Sequence, residues 1–158
     1  MHKKLVTGIL LIGLSWIFVG CGGPQEPLMR APKLPEAQED IRVTLRGLLK
    51  SEAKLTALNN GKNKDAIQFV DLNGDGQDEV VVSYILEEDE EPLRVLVLQR
   101  EQKGWKILDE IKGLGYGIDR IDFGDISGDG MLDIAVGWQL EGTAKKGVSI
   151  FQWDKNKL

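Results

Sequence analysis

The sequence predicts a mainly β protein made of antiparallel, four-stranded, propeller-blade-like repeats, one complete and one lacking its last strand, preceded by one short N-terminal helix. Three observations carry that reading. Residues 69–85 (FVDLNGDGQDEVVVSYI) align without gaps with residues 123–139 (FGDISGDGMLDIAVGWQ) at an offset of 54. Short β-branched runs alternate with turn residues through both copies and beyond them, as strands of a meander do. Glycine is abundant, at 19 residues against 6% aromatics, and it recurs beside Asp, which marks many tight turns between short elements.

Composition removes most other classes. At 158 residues, 42% hydrophobic and 28% charged, the chain suits one globular domain of moderate size. Cys21 is the single cysteine, so no intrachain disulfide and no Cys-cluster metal site can form. His2 is the single histidine, so a Ser-His-Asp triad, a Cys-His dyad or a His-based metal centre would lack its imidazole.

In chain order, the first segment is a leader. Lys3 and Lys4 form a basic start, and residues 5–19 are an uncharged, mostly apolar run of 15 residues, short of the ~20 that span a bilayer. The run ends in Phe18-Val19-Gly20-Cys21, which resembles the lipobox of bacterial lipoproteins, with Phe18 where that family most often has Leu. The resemblance implies cleavage of residues 1–20 as a lipoprotein signal peptide, a diacylglyceryl thioether on Cys21 and an acylated (palmitate-type) new N-terminus. An ordinary signal peptide and an uncleaved anchor are the other readings of the same residues. More than one acyl chain makes a stable attachment, so the membrane is an expected partner through lipid on Cys21 and the expected location is the extracytoplasmic face of a bacterial membrane. Loss of Lys3 and Lys4 leaves 18 basic residues against 25 acidic ones, a net charge of −7. An acidic chain of this kind disfavours nucleic acid and suits divalent cations.

Residues 21–35 read as a Pro/Gly-rich tether, since four of the five prolines fall there without apolar periodicity. The β-repeat domain is expected over residues 36–158. Its helix begins at Glu36 with Glu39 and Asp40 at the favourable end, and Ile41, Leu45, Leu48 and Leu49 share one face that packs on a sheet. Gly47 weakens this helix by about 1 kcal/mol, and its end is expected near Lys50. A strand over 53–58 and an Asn59-Asn60-Gly61 turn follow.

The repeats are expected at about 62–113 and 114–158. Strands are predicted over 66–70, 79–86, 93–100 and 105–111, then 118–123, 133–140 and 147–153. Residues 95–103 run parallel to 148–156 at an offset of 53, which sets Leu158 opposite Trp105. The second unit therefore lacks its last strand, and self-association or a partner strand is expected along the edge 147–153.

Each copy carries an oxygen-rich loop between its first two strands. Asp71, Asn73, Asp75 and Glu79 occupy positions one, three, five and nine, with Gly76 at six and the Gln77 carbonyl at seven. The second copy supplies Asp125, Ser127, Asp129, the Met131 carbonyl and Asp133. Alternate residues of a tight turn point inward, and calcium takes several hard oxygen ligands from such a loop. An EF-hand needs a bidentate Glu at position twelve, which is Val82 in one copy and Val136 in the other, so that motif is excluded. The competing reading is a pair of hairpin turns whose glycines supply positive φ and whose aspartates cap the backbone.

The D-x-[NS]-G-D-G-x-x-[DE] loop, preceded by Phe and followed by an apolar strand, resembles the FG-GAP repeats of integrin α-subunit propellers and the VCBS repeats of bacterial surface proteins. With the lipobox, the chain resembles bacterial FG-GAP/VCBS-repeat lipoproteins. The resemblance implies two calcium sites: Asp71, Asn73, Asp75, Gln77 and Glu79 in one, Asp125, Ser127, Asp129, Met131 and Asp133 in the other. Glu79 replaces the usual Asp, and Ser127 is a weak neutral ligand. A looser site than an EF-hand implies dissociation constants of ~0.1–1 mM.

Other features have plainer readings. The acids of 87–91 before Pro92 read as a solvated hairpin tip. Trp105, Trp138, Trp153, Tyr84 and Tyr116 could stack on a sugar, but strand aromatics are more often core. Lys145-Lys146 reads as another tip. The expectation is a non-enzymatic, calcium-binding module for binding, adhesion or scaffolding at the cell envelope, with a protein or polysaccharide ligand. The alternative is an accessory or catalytic subunit of a polysaccharide-acting envelope enzyme, which would need a free carboxylate pair outside the loops.

Overall fold

The computed structural model describes residues 36–113, 115–140 and 146–153, and the leader, Cys21, the tether, Lys145 and residues 154–158 lie outside the described residues. Acids at its start and an apolar stripe form α1 (Glu36–Leu48), followed by β1 (Ala53–Leu55), β2 (Ile67–Val70), β3 (Glu79–Leu86), β4 (Leu93–Glu101), β5 (Gly104–Gly113), β6 (Gly117–Gly124), β7 (Asp133–Gln139) and β8 (Lys146–Phe151). The predicted mainly β architecture of blade-like antiparallel sheets with one helix is what is observed. The first sheet is ordered β1-β3-β4-β5, with β2 sharing the β3 edge that β1 also uses. The second sheet is ordered β6-β7-β8. The strand predicted over 53–58 stops at Leu55, because Leu58 N–H leaves the sheet to bond the Lys64 carbonyl and close the turn that contains Gly61.

Alternation along β3 and β4 sorts the first sheet into two faces. Val80, Val82, Tyr84, Leu96 and Leu98 lie under α1, whose Ile41 and Leu45 are buried against them. Full burial of such aliphatic side chains stabilises by about 1.5–3 kcal/mol each. Next to Ile41, the Asp40 carboxylate accepts from Arg100 Nη1 at 2.9 Å and from Trp105 Nε1 at 3.1 Å, which ties α1 to the β4–β5 hairpin. The opposite face, with Val81, Val95, Val97 and Ile111, packs against Ile134, Val136 and Trp138 of β7. Trp153 and Leu72 join this core, so of the five aromatics considered for a sugar platform Tyr84, Trp138 and Trp153 are buried.

Two details fix how the sheets meet. The Trp138 ring lies so close to Gly113 that a β-carbon there would fall 2.1 Å from a ring atom. At the seam, Asn59 N–H and Asn60 N–H donate to the carbonyls of Ile118 and Asp119. A register shift between Ile118 and Arg120 makes Asp119 a bulge residue, and its buried carboxylate accepts from Lys146 Nζ at 2.8 Å and from Asn60 Nδ2 at 2.7 Å. These partners, Lys146 first and Asn60 second, hold the Asp119 carboxyl below its ordinary value despite burial.

Gly113→Ala is expected to lower stability by about 1–3 kcal/mol, because a buried indole cannot move aside; a shifted denaturant midpoint at unchanged slope is the readout. Because the folded-state pKa of Asp119 is depressed, its contribution is present above the unfolded value and is lost as pH falls through the folded one. Asp119→Asn should therefore lower the melting midpoint near neutral pH and flatten its decline below about pH 4.

Candidate functional site

The two loops take the same backbone path because their glycines allow it. Gly74 and Gly76 have φ of 73° and 83°, and Gly128 and Gly130 have 80° and 88°. Side chains at these positions would be strained. In the first loop Asp71 Oδ1 accepts from Gly74 N–H at 2.8 Å and Asp71 Oδ2 from Gly76 N–H at 2.9 Å. Asn73 Oδ1 accepts from Asp75 N–H, and Asp75 Oδ1 from Gln77 N–H. In the second loop Asp125 Oδ1 accepts from Gly128 N–H at 2.6 Å, Asp125 Oδ2 from Gly130 N–H at 3.1 Å, and Asp129 Oδ1 from Met131 N–H. Position one thus gathers the turn's N–H groups around a carboxylate in both copies.

Position nine, at the start of β3 or β7, closes each loop from beneath. Glu79 Oε2 accepts from Leu72 N–H at 3.0 Å, and its Oε1 lies 3.3 Å from Asn73 Nδ2 and 3.4 Å from Gln99 Nε2. Asp133 Oδ2 accepts from Ile126 N–H at 2.9 Å and Ser127 N–H at 2.8 Å. Its Oδ1 is buried and has no hydrogen-bond partner. Desolvation opposes charge on both groups, with opposite outcomes. Burial, less what Leu72 N–H restores, raises the Glu79 carboxyl, and the charges of Asp75 and Asp71 push the same way. At Asp133 burial is outweighed by the N–H groups of Ser127 and Ile126 and by that of Trp153, which faces the carboxylate outside hydrogen-bond geometry, so its carboxyl lies below the ordinary value.

Eight of the ten residues singled out in the sequence therefore fall in two equivalent turns, Glu79 and Asp133 begin the strands that follow, and the turns touch: Leu132 N–H donates to the Leu72 carbonyl at 2.8 Å. Among the described residues no three acidic, Cys or His side chains converge on one point as a metal-holding group. The aspartates instead face their own backbone, as mutually repelling carboxylates do beside free N–H donors. The hard-oxygen donor set and the unpartnered, buried Asp133 Oδ1 nevertheless fit a cation such as calcium.

Two polar clusters escaped the sequence reading. The first is the Asp119 seam, whose signal was the three-residue spacing of Ile118 and Ile121, a break in strand alternation. The second lies at the hairpin tip: Arg94 is buried in β4, donates to the Glu91 carbonyl and pairs with Asp89 at 2.8 Å, so the acidic tip closes on one internal cation. Beside it Tyr84 donates to Glu110, and burial, then Glu110, raises the Tyr84 hydroxyl pKa.

The fold and its loops define a β-repeat protein in which consecutive antiparallel sheets each open on an acidic, glycine-bent turn. Residues 71–136, from the first residue of the first loop into β7, match the FG-GAP-like repeat family, and this repeat suggests a β-repeat module for binding or adhesion. No curated protein and no solved structure matches the chain.

Proposed function

We propose that the chain is a lipid-anchored, extracytoplasmic, calcium-binding β-repeat module that acts in binding, adhesion or scaffolding at a bacterial cell envelope, without catalysis of its own. The observation that carries the cation is the buried, unpartnered Oδ1 of Asp133. An unsatisfied buried polar atom costs about 1–3 kcal/mol, more when charged, and a hard cation is the partner its loop is built to accept. Asp125, Ser127, Asp129, the Met131 carbonyl and Asp133 would hold one ion; Asp71, Asn73, Asp75, the Gln77 carbonyl and Glu79 would hold the other. The bound cation would relieve carboxylate repulsion and stiffen each turn. The rigid β surface would then be presented to a protein or an envelope polysaccharide. The anchor rests on the lipobox-like Phe18-Val19-Gly20-Cys21 and the leader before it.

Occupancy at about ten times the dissociation constant is worth about 1.4 kcal/mol per site, so calcium should raise the melting midpoint by roughly 5–10 °C over that in EDTA. The pair Asp75→Ala and Asp129→Ala should abolish the difference. Equal midpoints of the wild-type chain in calcium and EDTA would refute the cation reading. Radiolabelled palmitate should enter the wild-type chain in bacterial cells and not the Cys21→Ser variant; label retained by that variant would refute the anchor.

A further inference from the structure

On the α1 side of the first sheet, apart from both acidic turns, the end of the helix and the β3–β4 hairpin tip bound a cavity of about 280 Å³. Strand pairing sets its floor: Tyr84, Arg94 and Lys112 are partners across β3, β4 and β5, and Leu96 lies opposite Glu110 two residues along the same face. Leu48, Leu86, Leu96 and Ile107 supply apolar walls. The charged groups are three cations, Lys50, Arg94 and Lys112, against two acids, Asp89 and Glu110, so the lining has one positive charge in excess while the whole chain carries −5. A buried ion pair adds little to stability over apolar residues of like volume. Arg94 is nevertheless fully buried in a strand whose next two residues on that face are Leu96 and Leu98. Its guanidinium is incompletely matched: Nη1 donates to the Glu91 and Leu93 carbonyls, Nη2 to Asp89 Oδ2 at 2.8 Å, and the buried Nε has no partner. Nε and Nη2 form the edge that holds a carboxylate by two parallel bonds. Asp89 fills half of that edge, because its Oδ1 accepts from Glu91 N–H at 3.2 Å instead.

We propose that this cavity binds a small amphipathic carboxylate, which displaces Asp89 and fills both Nε and Nη2 of Arg94 while its apolar body lies against Leu48, Leu86, Leu96 and Ile107. Asp89 is the replaceable partner. Its side chain is 36% exposed where that of Arg94 is 2% exposed, and it sits in a run of acids over 87–91 whose mutual repulsion favours opening of the tip. Lys50 and Lys112 are exposed at the rim, and among the described residues neither is in an ion pair. The single excess charge selects a mono-anion, and the aliphatic walls select against a strongly hydrated one such as phosphate. A water's share of liquid volume is about 30 Å³, so the cavity holds about nine non-hydrogen atoms, the size of benzoate. A ligand of that size binds with a dissociation constant on the order of 1–10 mM.

The test uses the full chain with Cys21→Ser in a non-ionic detergent and EDTA, so that calcium cannot contribute, and reads binding by saturation-transfer NMR with detergent alone as the blank. Benzoate should bind in the millimolar range. Benzamide, equal in size but uncharged, and acetate, charged but without the body, should each bind at least about tenfold more weakly. Asp89→Asn removes the internal competitor, so it should tighten benzoate binding by about tenfold, and benzoate should raise the melting midpoint of this variant more than that of the parent chain. Lys112→Glu, at an exposed position, should weaken binding by about tenfold at an unchanged midpoint. Arg94→Gln should abolish binding; where that variant does not fold, the Asp89 and Lys112 variants decide. Absence of benzoate binding up to about 50 mM overturns the proposal, whether the chain's own residues fill the cavity or Arg94 serves the hairpin alone. So does equal binding of benzamide, or an Asp89→Asn chain that binds benzoate no more tightly than its parent.

Discussion

The packing of β7 on the inner face of the first sheet is the contact on which the remainder of the structure rests. Ile134, Val136 and Trp138 enter the same core as Val81, Val95, Val97 and Ile111, while the first sheet's other apolar face is taken by α1. A three-stranded sheet offsets the ordering of its backbone only by covering its hydrophobic face. Its order therefore comes from the neighbour. Gly113 admits the Trp138 ring, and the Asp119 bulge clamps the edge of the contact with Lys146 and Asn60.

The acidic loops follow from the same arrangement. Position nine sits at the first residue of β3 or β7, where strand alternation turns it under the loop and packing takes it out of water. Glu79 and Asp133 are consequently buried carboxylates held by backbone N–H groups, and the two turns are joined through Leu72 and Leu132. One extra methylene separates them in behaviour. Glu79 reaches two side-chain amides with Oε1, whereas the shorter Asp133 leaves Oδ1 unmatched. The more crowded first loop raises its carboxyl, while the denser N–H donors of the second lower theirs.

Much of this was legible in residues 69–85 and 123–139. A gap-free repeat with period-two alternation defines strands to within a residue or two, and the offset of 53 between 95–103 and 148–156 anticipates the shared register of β3–β4 and β7–β8. The positive φ of Gly74, Gly76, Gly128 and Gly130 is equally readable, because only glycine beside short acids takes that path cheaply. Arg94 was not legible. A single cation inside an apolar strand reads as an edge residue until the hairpin folds back and brings Asp89 and the Glu91 carbonyl onto it.

By itself the sequence determined the class of fold, the extent of the strands and the two glycine-bent acidic turns, all of which are local: they depend on alternation, on spacing within a few residues and on conformations open to one residue type. Only the tertiary structure decided which face of each sheet is core. Val95 and Val148 are the same residue at the same place in the repeat, yet one is wholly buried and the other largely exposed. Alternation specifies two faces without saying which will be covered, and that is settled by what lies alongside: a helix on the first sheet, the second sheet on its inner side, and a surface of β6–β8 that the described residues leave open.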